Sequence, residues 1–128
     1  MELIGVGIDL VDIARVERML ERHAERVLRR FLTAGEQGYV RSTHRPAMHL
    51  AARIAAKEAA YKALQSLPGA RAVSWQHLEV ERETEGRPSL RLLGLARDLA
   101  HRHGPLRVEL SLSHSEGTAG AVAVLVRG

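Results

Sequence analysis

Two carboxylates and one lysine are the residues of this chain best suited to phosphate chemistry. Asp9 sits near the end of an apolar run, LIGVGIDLV (3–11), and Glu58 lies inside an alanine-rich stretch, AMHLAARIAAKEAAYKALQ (47–65). The run reads as a strand. The stretch is the strongest helix in the chain, because alanine, leucine and unbranched side chains lose least on entering a helix. At helical spacing Ala51, Ala55, Glu58, Lys62 and Gln65 share one face. The alanines let a strand approach closely, which sets a second carboxylate opposite Glu58. Two carboxylates with few other ligands suit Mg²⁺, which keeps several waters and takes its remaining oxygens from phosphate. Lys62, one turn beyond Glu58, can then reach a phosphate oxygen of the same ligand. The plainer reading of Glu58 and Lys62 is an i,i+4 ion pair worth about 0.2–0.5 kcal/mol.

Lysine usage adds to this. All but two of the 19 basic residues are arginine, and both lysines, Lys57 and Lys62, fall within KEAAYK. A chain that elsewhere uses guanidinium for positive charge retains two ammonium groups where a compact point charge on a flexible stem differs most from a planar fork. A third group of polar residues is SLSHSEGTAG, where His114 stands at the end of a strand between Ser113 and Ser115, ahead of a glycine turn. Serines and backbone N–H groups near a turn can hold phosphate, although a lone histidine is more often structural or merely exposed. Gly5-x-Gly7 lacks the further glycines and the helix of a dinucleotide fingerprint. His101 and His103 are two apart on a helix and face different ways.

A basic stripe lies on the first helix. Arg15, Arg18, Arg22, Arg26 and Arg29 are spaced 3, 4, 4 and 3, so they fall within about 80° of one another at 100° per residue. The apolar face around Val16, Leu20, Ala24 and Val27 lies roughly opposite, and Glu17, Glu21 and Glu25 form their own side strip. The expectation is an exposed positive ridge, clear of the phosphate site, that meets something acidic and elongated: an acidic helix of a partner protein or a nucleic-acid backbone. A solvated face with i,i+4 pairs is the plain alternative.

The elements that must position these groups follow from pattern and punctuation. At 128 residues the chain holds one core, so 1–128 is expected to be a single domain. Strand 3–11 leads to a helix capped by Asp12 and running to about Arg30, with Ile13, Val16, Leu20, Val27 and Phe31 on one face. Thr33-Ala34-Gly35-Glu36 fits a capping box opening a short helix to about Ser42. Helix 47–65 follows and Pro68-Gly69 stops it. Strands at 77–83 and 89–93 flank a turn at Glu85–Pro88, a helix spans 95–103, and 106–115 and 118–127 form a hairpin across Glu116-Gly117. The order predicts an α+β fold with a largely antiparallel sheet packed against a long helix.

Composition narrows the classes. There is no cysteine, so disulfides, thiolate metal sites and a cysteine nucleophile are excluded. Aromatics are 3% of the chain, too few for a base-stacking platform. No apolar run approaches the roughly 20 residues of a membrane span. The N-terminal stretch has acids inside it and no basic region ahead, unlike a signal peptide. The expectation is a cytoplasmic protein with no membrane partner. Its net charge of +4 calls for an acidic one.

Taken together, GVGIDLVDIARVERML, RRFLTAGE, ARIAAKEAAYKAL, GRPSL and LSLSHS…AGAVAVL resemble the holo-acyl-carrier-protein synthases, the small phosphopantetheinyl transferases of fatty-acid synthesis, over nearly the whole chain. The resemblance implies the 4′-phosphopantetheinyl transferase fold. It also implies transfer of the 4′-phosphopantetheine arm from coenzyme A to a serine of apo acyl carrier protein, with Mg²⁺ and release of adenosine 3′,5′-bisphosphate. By the same resemblance Asp9 and Glu58 hold the metal, Lys62 contacts the pyrophosphate, and Arg53, the Gly86–Pro88 turn with Arg87 and Pro88, and His114 contact coenzyme A. Arg15, Arg18, Arg22 and Arg26 on the first helix dock the carrier protein. Members of this size are typically homotrimers with sites between subunits. Ile54 and Gln65 depart from the family's usual Phe and Gly. Glu36, Glu58 and a metal-bound water all remain candidates for the general base. The competing reading is a nucleic-acid-binding module using the arginine face; it explains the charge but not the two carboxylates.

Overall fold

A computed structural model describes residues 1–82 and 86–128. Strand β1 (Glu2–Asp12) leads into helix α1 (Ile13–Phe31), followed by α2 (Ala34–Ser42) and α3 (Pro46–Leu64). Two 3₁₀ turns, Ala70–Ala72 and Trp75–His77, precede β2 (Leu78–Arg82) and β3 (Pro88–Leu92). Helix α4 (Gly94–Arg102) and the hairpin of β4 (Leu106–His114) and β5 (Thr118–Arg127) complete the order. The fold is α+β and its strand pairs are antiparallel, as the sequence pattern predicts. The strands form two sheets, however, not one: β1-β5-β4, and a separate β2-β3 ribbon. The strand expected at 77–83 starts one residue later, with His77 in a 3₁₀ turn. Its Glu83 and the turn's Glu85 lie outside the described residues.

Helix α3 is the centre of the molecule. Ala55, Ala56, Ala59, Ala60, Ala63 and Leu64 are all but fully buried, and the helix lies against β1 and β5. Its alanines do more than favour the helix: they leave no side-chain bulk between helix and sheet. The strand answers with Gly5 and Gly7. A Cβ on Gly7 would collide with the Ala59 carbonyl, and one on Gly5 with the Ala63 carbonyl. The Gly-x-Gly pair is therefore a device for close approach of strand and helix. Alternation along β1 then turns Asp9 toward α3 and leaves Val6, Ile8 and Leu10 on the outer face, 56–70% exposed.

Two local features bear on the expected sites. Helix α1 departs from helical geometry at His23 (φ −146°, ψ 44°). Beyond it the burial pattern shifts. Leu28 is buried with Val27, and Ala24, expected on the apolar face, is exposed. One non-helical residue changes the angular phase of everything after it, so the arginine stripe is not one continuous ridge. The Thr33–Glu36 capping box is present as read, with Thr33 N donating to Glu36 Oε1 at 2.8 Å and Glu36 N to Thr33 Oγ1 at 3.4 Å.

Candidate active site

Asp9 and Glu58 line one cavity of about 300 Å³, together with Asp12, Arg15, Phe31 and Ile54. Burial, and next the charge of Asp9, push the Glu58 carboxyl above the usual carboxylate range; Lys62 offsets part of this. Lys62 does not settle as the i,i+4 partner of Glu58. Its ammonium reaches across to β1, donating to the Ile8 carbonyl at 2.9 Å and to Asp9 Oδ1 at 3.4 Å. It remains half exposed. The ammonium is thus held at the mouth of the carboxylate pair by a backbone acceptor and keeps donors for a ligand. Asp12 is not free in the same way, because its Oδ1 accepts the Ala14 N–H as the cap of α1.

The donor set here is two hard carboxylates, and no group of three or more metal-binding side chains occurs among the described residues. That suits a cation that retains water and takes oxygens from a phosphorylated ligand, and does not suit an all-protein cage. The residues fit Mg²⁺ in that sense.

The second lysine has a different task. Lys57 is 1% exposed, and its ammonium donates to Phe31 O at 2.7 Å, Glu36 Oε1 at 2.6 Å and Trp75 O at 2.9 Å. It joins α3 to the end of α1, the start of α2 and the 3₁₀ turn. Three converging acceptors want a compact ammonium, so the retention of lysine has a structural cause at position 57 and a site-facing one at 62. Glu36 is accounted for by the same network. It is 2% exposed, its Oε2 accepts the Val80 N–H at 2.9 Å, and it does not line the Asp9–Glu58 cavity. Glu36 is therefore not placed to take a proton there.

A second cavity of about 210 Å³ gathers Arg53, Gly86, Pro88, Ser113 and His114, with His49 and Arg82. It shares no lining residue with the first. Arg87 is exposed and does not line it. Arg53 is 4% exposed, donates weakly from Nη1 to the His49 carbonyl at 3.5 Å, and has a buried Nε without a partner. Burial pushes its pKa down, and the charge of Glu36 opposes this. Burial, then Arg53, Arg82, Arg45 and His114, hold His49 below the ordinary imidazole range. The pocket is electropositive. His49 and Arg82 were missed by sequence reasoning, yet one signal was present. In HLEVER, Arg82 follows Leu78 and Val80 in the strand's alternation, and though exposed it lines the cavity on that side.

The partner-surface arginines are placed unevenly. Arg15, Arg18, Arg22 and Arg26 are all exposed. Arg15 lines the Asp9–Glu58 cavity, so the stripe is not clear of that site; the first turn of α1 follows Asp9 by only a few residues. Arg26 lies beyond the break at His23. Of the two departures from the family pattern, Ile54 packs on the first cavity. Gln65 caps α3 in right-handed geometry (φ −67°, ψ −8°), where no glycine is required.

Residues 5–123 match the 4′-phosphopantetheinyl transferase superfamily. A holo-[acyl-carrier-protein] synthase of Moorella thermoacetica is 44% identical over 123 residues, covering 96% of this chain and 94% of the relative. Among solved structures, the holo-[acyl-carrier-protein] synthase of Neisseria meningitidis superposes with a TM-score of 0.84 at 30% identity, covering 98% and 99% of the two chains. The Bacillus anthracis enzyme, determined in complex with CoA (3′,5′-ADP), has a TM-score of 0.79 at 31% identity over the full length of both. Nothing in these comparisons supports a nucleic-acid-binding module. No helix among the described residues is long and apolar enough to cross a membrane.

Proposed function

The chain belongs to the 4′-phosphopantetheinyl transferase superfamily, and we propose how its residues carry out the transfer. The protein moves the 4′-phosphopantetheine arm of coenzyme A onto a serine hydroxyl of apo acyl carrier protein. The serine oxygen bonds to the β-phosphorus, the bond from that phosphorus to the bridging oxygen breaks, and adenosine 3′,5′-bisphosphate leaves. The observation that carries the assignment of the reacting centre is the strand–helix contact at Gly7. It brings Asp9, Glu58 and the Lys62 ammonium to one opening.

Asp9 and Glu58 would hold Mg²⁺, which supplies charge neutralisation and in-line alignment to a pyrophosphate. Lys62 places a point charge beside the same pyrophosphate and stabilises the charge that develops on the leaving oxygen. With Glu36 buried elsewhere, Glu58 is the remaining carboxylate candidate for receiving the serine proton. Arg53, Pro88 and His114 receive the nucleotide end in the electropositive cavity. Arg18 and Arg22 dock the acidic carrier protein, while Arg15 stands between that surface and the reacting centre.

We further assign a homotrimer. Support comes from the outer face of β1, where Leu3, Val6, Ile8 and Leu10 form an exposed apolar row of the kind subunit contact covers. The carboxylate and electropositive cavities, as two half-sites of one chain, share no lining residue, an arrangement compatible with completion by a neighbouring copy. On the family resemblance the enzyme serves fatty-acid biosynthesis in the cytoplasm.

The test is mass spectrometry of apo acyl carrier protein after incubation with coenzyme A, with and without Mg²⁺. Gain of the phosphopantetheine mass only with the metal supports the reading. No gain, or an equal gain in EDTA, overturns the activity or the metal assignment respectively.

A further inference from the structure

Tyr39 stands on α2 beside the electropositive cavity without lining it, and three cationic or basic groups converge on its ring. Arg53 Cζ lies 4.4 Å from the ring centroid, Arg82 Cζ 5.2 Å, and the His49 ring centroid 5.3 Å. Among the described residues neither guanidinium is within 4.0 Å of a carboxylate. Arg53 is almost fully desolvated and its Nε has no partner. Arg53 and Arg82 both line the 210 Å³ cavity that Gly86, Pro88 and His114 close. They also line a larger one of about 440 Å³, with Tyr39, Glu36, Glu79 and Glu81.

Two guanidiniums, with Arg45 and two histidines nearby, repel one another. The Glu36 charge favours that of Arg53, but its carboxylate is taken up by Lys57 and the Val80 N–H, and Arg82 is itself exposed. The negative face of an aromatic ring is a further attraction common to both guanidiniums, and it acts within about 6 Å of the centroid. The Tyr39 hydroxyl makes no hydrogen bond to the described residues, and both guanidiniums lie over the ring. Arg82 is also paired opposite Pro88 in the β2–β3 ribbon, which ties its backbone to the turn at the cavity's rim.

We propose that Tyr39 is a positioning residue for the nucleotide of coenzyme A: its ring holds the guanidiniums of Arg53 and Arg82 together, aimed into the cavity as one receptor for the 3′-phosphate. The inference rests on the transfer reaction assigned above. It assigns Tyr39 no contact with the reacting atoms; it acts through the two arginines. A ring that merely filled space would affect every donor alike, whereas a ring that organises an anion receptor matters only when the anion is present.

The experiment compares coenzyme A with 3′-dephospho-coenzyme A as donors for the native enzyme and for Tyr39→Phe, Tyr39→Leu and a pentafluorophenylalanine at position 39. The last keeps the ring's shape and reverses its charge distribution, so it tests the ring even where Tyr39→Leu does not fold. The expected result is a KM for coenzyme A raised about tenfold in the Leu and fluorinated variants, with kcat unchanged. Tyr39→Phe should match the native enzyme, and the KM for the dephospho donor should not change. A KM raised equally for both donors, a fall in kcat, a defect in Tyr39→Phe, or a fluorinated enzyme that behaves as native overturns the inference. Failure of the native enzyme to modify carrier protein with either donor overturns the transfer reading instead.

Discussion

Gly7→Ala is a one-methyl test of the claim that close approach of β1 and α3 assembles the reacting centre. The new Cβ would fall on the Ala59 carbonyl and 2.9 Å from Lys62 Cβ. Gly7 has no positive φ, so the conflict is packing and not backbone strain. Neither neighbour can give way cheaply: Ala59 is helix backbone, and Lys62 Cβ is fixed to it. The strand must withdraw by about 1 Å or more, since the clash with the Ala59 carbonyl oxygen is far inside the ordinary contact range that begins near 3.4 Å. Overpacking of this kind costs about 1–3 kcal/mol, which for a chain of this length lowers Tm by roughly 4–12 °C. The catalytic effect should exceed the stability effect, because Asp9 moves with the strand while Glu58 and Lys62 stay with the helix. A misplacement of about 1 Å can cost on the order of 100-fold in rate. The assay is initial-rate transfer to carrier protein, measured well below the variant's Tm, beside thermal melts. Gly38→Ala is the control, since its Cβ meets nothing within 4 Å. Should Gly7→Ala melt and turn over like the native protein, the strand–helix contact does not set the site geometry.

The two lysines should separate cleanly. Lys57→Met leaves the Glu36 carboxylate buried and unpaired and should destabilise by about 3–5 kcal/mol in urea titration; Lys62→Met breaks a half-exposed contact worth about 0–1 kcal/mol, yet should abolish most transfer. Glu58→Gln should raise the Tm of the metal-free protein at neutral pH. The folded pKa of Glu58 lies above its unfolded value, so the folded state is penalised once pH rises past it. The gain should vanish below the unfolded pKa, near pH 4, and transfer should be lost throughout; a native-like melt at pH 7 would contradict the shift. Reversing Arg18 and Arg22 to Glu should raise the KM for carrier protein and remove its salt dependence with kcat intact. Arg15→Glu should lower kcat as well, because Arg15 lines the Asp9–Glu58 cavity.

The legible parts of the sequence were those governed by local rules. The capping box at Thr33–Glu36, the alanine helix and the terminal hairpin follow from spacing and propensity, and all stand where they were read. The pairing of Asp9 with Glu58 was legible because alanines on the Glu58 face implied a close neighbour. What escaped was set by partners distant in the chain. Nothing local shows that Glu36 is claimed by Lys57, 21 residues on, and by Val80, so a capping residue passed for a candidate base. The break at His23 is equally silent, since the residues around it have ordinary helix propensity. The close approach of Gly5 and Gly7 was passed over because Gly-x-Gly was weighed only as a nucleotide motif.

Lys57 shows why the two half-sites stay in register. Around the axis of α3, with Arg53 as origin, Lys57 lies at about 40°, Ile54 at about 100° and Glu58 at about 140°. Arg53 serves the electropositive cavity, Ile54 and Glu58 the carboxylate one. Any rotation of the helix that improves one cavity spoils the other. Alanine faces resist rotation poorly, because small side chains interlock little. The constraint comes from the one long side chain planted between the two functional directions. Its ammonium is bonded to three different segments, so rotation in either sense breaks a buried charge-assisted hydrogen bond. The buried lysine thus does for the orientation of α3 what Gly5 and Gly7 do for its distance from β1, and the placement of Glu58 depends on both.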